Sequence, residues 1–157
     1  MKKYIYSILL VLVASVSLLG CTHNLDGNVI TYVGNDGKSY DAWHFDSLDD
    51  FKNNLPSLYK ECTGSVRIGN FNKEYEEFEN ELKKATYEGN GSTPNSTNQT
   101  GGVIVRSGTI SHTTGSYGGS MYTVYTGYKT KGLWVYVWDE GRGKYSDGVS
   151  FDFGERE

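Results

Sequence analysis

Residues 133–138 narrow the choice of fold for this chain more than any other segment. In an extended strand, alternate side chains point to opposite faces of the sheet. One face of this segment is aliphatic, with Leu133, Val135 and Val137. The other face is aromatic, with Trp134, Tyr136 and Trp138. Because both faces are apolar, something must cover the second face as well as the first.

Segments rich in β-branched and aromatic residues predict the other strands of this sheet. Residues 29–33 and 40–45 flank the turn formers Asn35, Asp36 and Gly37, which predicts an N-terminal hairpin. The C-terminal third predicts a four-strand antiparallel meander with Gly-rich or charged turns, over residues 103–110, 121–129, 133–138 and 149–153. In the last of these strands apolar and polar residues alternate, so we expect one buried and one wet face.

Two helices are predicted between the hairpin and the meander. The first has an apolar stripe at three- and four-residue steps, from Leu48 to Cys62, with Ser47 as its N-cap and Gly64 at its end. Pro56 falls inside this stripe, and we expect it to kink the helix or to begin a second one. After a brief strand that includes Val66 and Ile68, a second helix is predicted to begin at an Asn72 cap. Its stripe is Tyr75, Phe78, Leu82 and Ala85.

Together these elements predict one α+β domain over residues 29–157. An antiparallel sheet, formed by the N-terminal hairpin and the four-strand meander, has two helices packed on one face. The far face is expected to keep aromatic side chains in partial contact with water. Residues 89–102 contain Gly, Ser, Thr, Asn, Gln and Pro94 but no large apolar residue, which predicts a flexible loop within the domain.

The N-terminus has the pattern of an export signal. Lys2 and Lys3 precede an apolar run over residues 4–19, which is short for a membrane span, and the run ends in the sequence Leu-Leu-Gly-Cys at residues 18–21. These four residues resemble the lipobox of bacterial lipoproteins. The resemblance covers residues 1–21 only. It implies that residues 1–20 are removed, that Cys21 is lipidated, and that residues 21–28 form a tether.

The same resemblance implies a location. A lipoprotein of this kind is anchored in the cell envelope, in the outer membrane of a Gram-negative bacterium or on the outer face of the plasma membrane where there is only one membrane. The alternative is an ordinary secretory signal in which Cys21 is incidental.

The charge of the chain argues against nucleic acid as a partner. Loss of Lys2 and Lys3 with the signal leaves 13 basic and 19 acidic side chains, a net charge of −6. An acidic chain repels polyanions on average, so we expect contact with the membrane through lipid alone.

If Cys21 is lipidated, Cys62 has no partner for an intramolecular disulfide. Its position at the end of an apolar stripe favours a buried, inert thiol. An intermolecular bridge and a nucleophile are the other interpretations.

The chain contains no sequence motif of catalysis, and it is therefore expected not to be an enzyme and to need no cofactor. His23, His44 and His112 are far apart and lack the spacing of a zinc site. Gly127 and Gly132 have the spacing of a phosphate-binding loop, but Leu133 stands where that loop needs lysine. Residues 139–147 fail the spacing of a calcium loop, so no metal site is predicted.

Aromatic residues are the one candidate for a binding site. They lie on adjacent predicted strands, at Tyr122, Tyr128, Trp134, Tyr136 and Trp138, with Tyr117 and Tyr145 in flanking turns. Rings of this kind offer rigid contact area to proteins and a stacking surface to sugars. The alternative is cross-strand packing that only stabilises the sheet.

The functional expectation is therefore a lipid-anchored, non-enzymatic module that binds an envelope protein, as a partner, an inhibitor or an immunity-type lipoprotein. One alternative is glycan or peptidoglycan binding through the aromatic sheet face. Another is a structural role in the envelope.

Overall fold

The computed structural model describes residues 25–67, 71–119 and 122–157, and of residues 116–125 only the backbone pairing. The predicted signal peptide, Cys21 and the first part of the predicted tether lie outside the described residues. The last four residues of the predicted tether, Leu25–Asn28, form a 3₁₀ turn, and Leu25 packs against the core. In the described part of the chain, no helix is both long and apolar enough to cross a membrane.

The N-terminal hairpin is confirmed. Strand β1 is Val29–Val33 and strand β2 is Ser39–Phe45, and they pair antiparallel. Gly37, in the connecting turn, adopts a φ of +77°, a conformation that glycine reaches without steric cost.

Helix α1 spans Leu48–Thr63 with the predicted ends. The Ser47 hydroxyl accepts a hydrogen bond from the Asp50 backbone N–H at 3.1 Å, and Gly64 ends the helix with a φ of +73°. Pro56 does not begin a second helix, because a single helix runs through it. The apolar stripe is buried both before and after Pro56. This burial holds the two halves of the helix in one element.

Helix α2 spans Asn72–Leu82, and its ends differ slightly from the prediction. Phe71 is the N-cap in place of Asn72, and it is buried below the Arg67 guanidinium, which lies 4.7 Å from the centre of its ring. Packing of Phe71 thus sets the start of this helix. Val66 is exposed and belongs to no strand, and Ile68 lies outside the described residues.

The C-terminal strands are β3 (Val103–Gly119), β4 (Tyr122–Asp139), β5 (Lys144–Tyr145) and β6 (Val149–Arg156). The antiparallel sheet has the order β1-β2-β3-β4-β5, and β6 pairs with β4 beside β5. The predicted α+β class is therefore confirmed, with both helices on one face of an antiparallel sheet.

The division of the meander into strands was wrong at one place. Residues 121–129 and 133–138 were predicted as two strands. Met121 lies outside the described residues, and from Tyr122 onward both segments belong to β4, which has no turn between them. At the supposed turn, Gly132 pairs with Gly108 of β3 and with Asp152 of β6. A Cβ at this position would lie 2.5 Å from the Phe151 carbonyl oxygen. Glycine is therefore needed here because it lets the two strands pack closely, and not because the chain turns.

The main core lies between the helices and one face of the sheet. The helices contribute Phe51, Leu55, Leu58, Tyr59, Tyr75 and Phe78, and the sheet contributes Phe45, Val103, Val105, Leu133, Val135, Val149, Phe151 and Phe153. A smaller cluster covers the far face of the sheet with Tyr32, Ala42, Ile104, Tyr136 and Tyr145. Both faces of β4 are thus covered, as the apolar pattern requires.

Residues 89–102 contain no helix or strand, and a single bridge pairs Pro94 with Gly34. Backbone hydrogen bonds attach the segment to the hairpin, from Asn35 N–H to the Thr93 carbonyl at 2.9 Å and from Asn95 N–H to the Val33 carbonyl at 2.8 Å. Thr93 itself is only 2% exposed. Part of the segment predicted as a flexible loop therefore covers the far face of the sheet.

Candidate functional site

Strands β3 and β4 continue past the rest of the sheet. Strand β2 pairs with β3 only at residues 103–105, and β6 pairs with β4 only as far as Thr130. Beyond these points β3 and β4 pair with each other, from His112 opposite Tyr128 to Gly119 opposite Tyr122. We call residues 112–119 and 122–128 the ribbon. Within the described residues, no other strand pairs with either of its edges.

Polar cross-strand contacts stiffen the middle of the ribbon. The Thr114 hydroxyl donates to the Thr126 carbonyl at 2.8 Å, and the Thr126 hydroxyl donates to the Thr114 carbonyl at 2.9 Å. A register shift follows at Gly115, whose φ of +59° suits a β-bulge. These contacts matter because an isolated two-stranded hairpin is only marginally stable in water.

A stack of charged and aromatic groups marks the base of the ribbon. The rings of His112 and Tyr128 are stacked with centroids 4.6 Å apart, and the Arg156 guanidinium lies 4.8 Å from the centre of the Tyr128 ring. His112 Nε2 is 2.6 Å from an Asp152 carboxylate oxygen and 2.8 Å from the Thr130 hydroxyl. The stack ties the ribbon to β6.

The predicted aromatic set is divided by the structure between the ribbon and the far face of the sheet. Tyr122 and Tyr128 belong to the ribbon, but the Tyr122 side chain is outside the described part. Trp134, Tyr136 and Trp138 lie on the far face, where the two tryptophans are half-buried. Of the four side chains that the structure describes, Tyr128 thus packs with His112 and Arg156, apart from the group of Trp134, Tyr136 and Trp138.

The Tyr136 side chain packs inside the protein and is not exposed on its surface. It is 2% exposed, and its hydroxyl lies 2.9 Å from the Ser92 hydroxyl. Of the two tyrosines predicted in flanking turns, Tyr117 belongs to strand β3. Tyr145 belongs to the short strand β5, where its hydroxyl donates to the Gly101 carbonyl at 2.8 Å and burial raises its pKa.

Trp134 is held against the backbone of the neighbouring strand. A Cβ on Gly108 would lie 2.6 Å from Cδ1 of the Trp134 ring, so the ring occupies space that only glycine leaves open. Trp138 instead packs edge-on against Tyr145, with ring centroids 5.0 Å apart.

Sequence reasoning missed a cavity of about 260 Å³ beside Trp134. Arg106 and Asp147 line it together with Asn90, Ser92 and Thr93 of residues 89–102. The Arg106 guanidinium lies 5.0 Å from the centre of the Tyr40 ring and donates to the Ser92 hydroxyl at 3.3 Å. No local pattern marks these residues, because chain segments distant in sequence bring them together.

The other candidates for chemistry are separate from one another. Among the residues that the structure describes, no three His, Cys, Asp or Glu side chains are grouped so that they could hold a metal ion. Cys62 is half-buried, and burial, followed by the nearby Glu61 carboxylate, raises its pKa to about 11. A thiol with a raised pKa is a poor nucleophile at neutral pH, which favours the inert interpretation.

In comparisons with known proteins, no family model, no curated protein and no solved structure matches this chain. The geometry of the ribbon and of the far face is therefore the basis for a functional proposal.

Proposed function

We propose that this chain is an exported lipoprotein, anchored by lipid on Cys21, that binds another envelope protein through the ribbon. The ribbon is the observation that supports the binding half of this proposal, and the resemblance of residues 18–21 to a lipobox supports the anchoring half. Its partner class is a protein of the same compartment, as a cell-envelope partner or as a toxin that an immunity-type lipoprotein sequesters. No catalytic step is part of the proposal.

The unpaired edges of the ribbon support protein binding. Each edge offers a row of backbone N–H and C=O groups that a strand of another protein can pair with. Eight residues of β3 lie in the ribbon, and at about 3.3 Å per residue they extend it by roughly 25 Å. Among the ribbon residues whose side chains the structure describes, none belongs to either core.

The composition of the ribbon supports the same role. Among residues 112–128, Tyr, Gly and Thr each occur four times and Ser occurs twice. Tyr, Ser and Gly are also enriched in antibody binding loops, because tyrosine supplies rigid area while small residues adapt their hydrogen bonds.

Shortening the ribbon tests the proposal. Replacing residues 113–127 with Asn-Gly closes a two-residue turn while keeping the His112–Tyr128 stack at its base. We expect the free energy of unfolding to change by no more than about 1 kcal/mol, since none of the removed side chains that the structure describes belongs to a core. In chemical cross-linking of envelopes from cells that make the protein, at least one cross-linked protein should become about tenfold less abundant.

The matched control is Glu76→Ala, on the exposed surface of α2. It should leave the cross-linked proteins unchanged. If the shortened variant folds and retains every cross-linked protein of the full chain, the ribbon is not the binding element.

The anchoring half of the proposal has its own test. In Cys21→Ser the acceptor sulfur for the lipid is replaced, so we expect loss of a fatty-acid label and release of the protein from the membrane fraction. Cys62→Ser is the control and should retain both the label and the membrane association. Continued membrane association of Cys21→Ser without label would contradict lipid anchoring at this residue.

A further inference from the structure

The cavity beside Trp134 has features that point to a specific class of ligand. It has a volume of about 260 Å³ and lies on the far face of the sheet, away from the helices. This is slightly smaller than the pockets that hold drug-sized molecules, so it suits a ligand the size of one sugar ring. Neither its position nor its residues overlap the ribbon.

The walls of the cavity combine one aromatic ring with several polar groups. Trp134 supplies a half-buried indole, which packs against Gly108 in the space that a Cβ would fill. Arg106 lies opposite it on the paired strand, Asn90 comes from residues 89–102, and Asp147 lies between β5 and β6. A flat aromatic surface next to hydrogen-bonding side chains matches the CH face and the hydroxyl rim of a pyranose.

Two of these polar groups have unused hydrogen-bonding capacity. Arg106 Nε is a buried donor and Asp147 Oδ1 is a buried acceptor, and neither has a hydrogen-bond partner in the described part of the chain. Both side chains are otherwise fixed in position. Arg106 donates to Ser92, while the second carboxylate oxygen of Asp147 accepts from the Thr86 hydroxyl. The rest of each side chain is more accessible, because Arg106 and Asp147 are both half-buried and line the cavity, so the guanidinium offers donors and the carboxylate offers an acceptor to a ligand there.

The charges of the lining select a neutral ligand. An anion such as a phosphate would be attracted by Arg106 but repelled by Asp147. A cation would be attracted by Asp147 but repelled by Arg106. A hydroxyl group accepts from a guanidinium and donates to a carboxylate at the same time. We propose that this cavity is a binding site for one uncharged pyranose unit, with Trp134 as the stacking ring and with Arg106 and Asp147 as hydrogen-bond partners of its hydroxyl groups.

The test measures binding of free D-glucose, D-galactose and N-acetyl-D-glucosamine to the full chain, purified in a detergent without a sugar headgroup. Calorimetry should give a Kd on the order of 1 mM for at least one of the three, the range expected for a ligand of this size. Asp147→Asn preserves the shape of the side chain but replaces an acceptor with a donor at one position. Both Asp147→Asn and Trp134→Ala should weaken binding by about tenfold or more.

Trp138→Ala is the matched control, because Trp138 shares the strand and face of Trp134 but does not line the cavity. It should bind the same sugar within about twofold of the full chain. Thermal unfolding of each variant identifies any that fails to fold, and Asp147→Asn then decides the outcome. No binding up to about 50 mM, equal loss in the Trp138 variant, or binding of free amino acids in place of sugars would overturn the proposal.

Discussion

Phe51→Ala is expected to lower the free energy of unfolding by about 3–5 kcal/mol, one of the two largest effects that we predict for a single substitution. The Phe51 ring is 0% exposed and lies where both helices meet the sheet. Its centroid is 5.7 Å from that of Phe78 in α2 and 6.1 Å from those of Phe45 and Phe151 in the sheet. Truncation leaves a cavity that three separate elements surround, so collapse cannot fill it without moving one of them.

Urea unfolding followed by circular dichroism measures this effect. Val66→Ala is the control, since Val66 is 73% exposed and its truncation should stay within about 0.5 kcal/mol of the unchanged chain. Domains of this size have about 5–15 kcal/mol of stability, so Phe51→Leu provides a milder variant if the alanine variant is already unfolded. A loss below about 1 kcal/mol in Phe51→Ala would mean that the core is not packed as described.

Gly132→Ala is expected to destabilise the fold by about 3 kcal/mol through overpacking. The added methyl would lie 2.3 Å from Cδ1 of Ile110 and 2.5 Å from the Phe151 carbonyl oxygen. The isoleucine can change rotamer, but the carbonyl belongs to β6 and moves only if that strand moves. We therefore expect the pairing between β4 and β6 to be lost before the rest of the sheet.

Amide hydrogen exchange locates the damage, and urea unfolding measures its size. The amides of β6 should lose protection in Gly132→Ala while those of β1 and β2 keep it. Gly27→Ala is the control, because no atom lies within 4 Å of its added methyl and its φ is not positive. Equal stability of the two alanine variants would contradict the continuous strand β4.

Features set by neighbours in sequence were predictable. Three- and four-residue steps identified both helices, and the local capping residues Ser47 and Gly64 located the ends of α1. The N-terminal hairpin followed from two β-rich segments around Gly37. Alternation in the last strand correctly assigned Phe151 and Phe153 to the buried face. In each case the signal and its cause lie within a few residues of each other.

Features set by distant neighbours were not predictable. Gly132 was interpreted as part of a turn, although its role comes from Ile110 and Phe151, which approach it only in the folded sheet. In the same way, the side chain of Phe71 starts α2 because of tertiary contacts, among them one to Phe151 at 6.1 Å between ring centroids. Sequence patterns alone do not contain these contacts.

The covering of the far face could not be predicted for a further reason. Backbone groups of Thr93 and Asn95 attach the polar segment to the hairpin, and backbone hydrogen bonding leaves no mark on composition. The segment therefore had the composition of a flexible loop. Burial of Tyr136 and the cavity beside Trp134 both depend on this attachment, so the candidate sites were only partly visible in the sequence.

The most direct test of ribbon binding is a photo-cross-link placed on the ribbon in native envelopes. A benzophenone amino acid replaces Thr113, which is exposed, and in a separate protein it replaces Glu76 on α2. Protein binding through the ribbon predicts one discrete adduct with a second protein from position 113 and none from position 76. Irradiation that gives no protein adduct at position 113, or the same adducts at both positions, would contradict it.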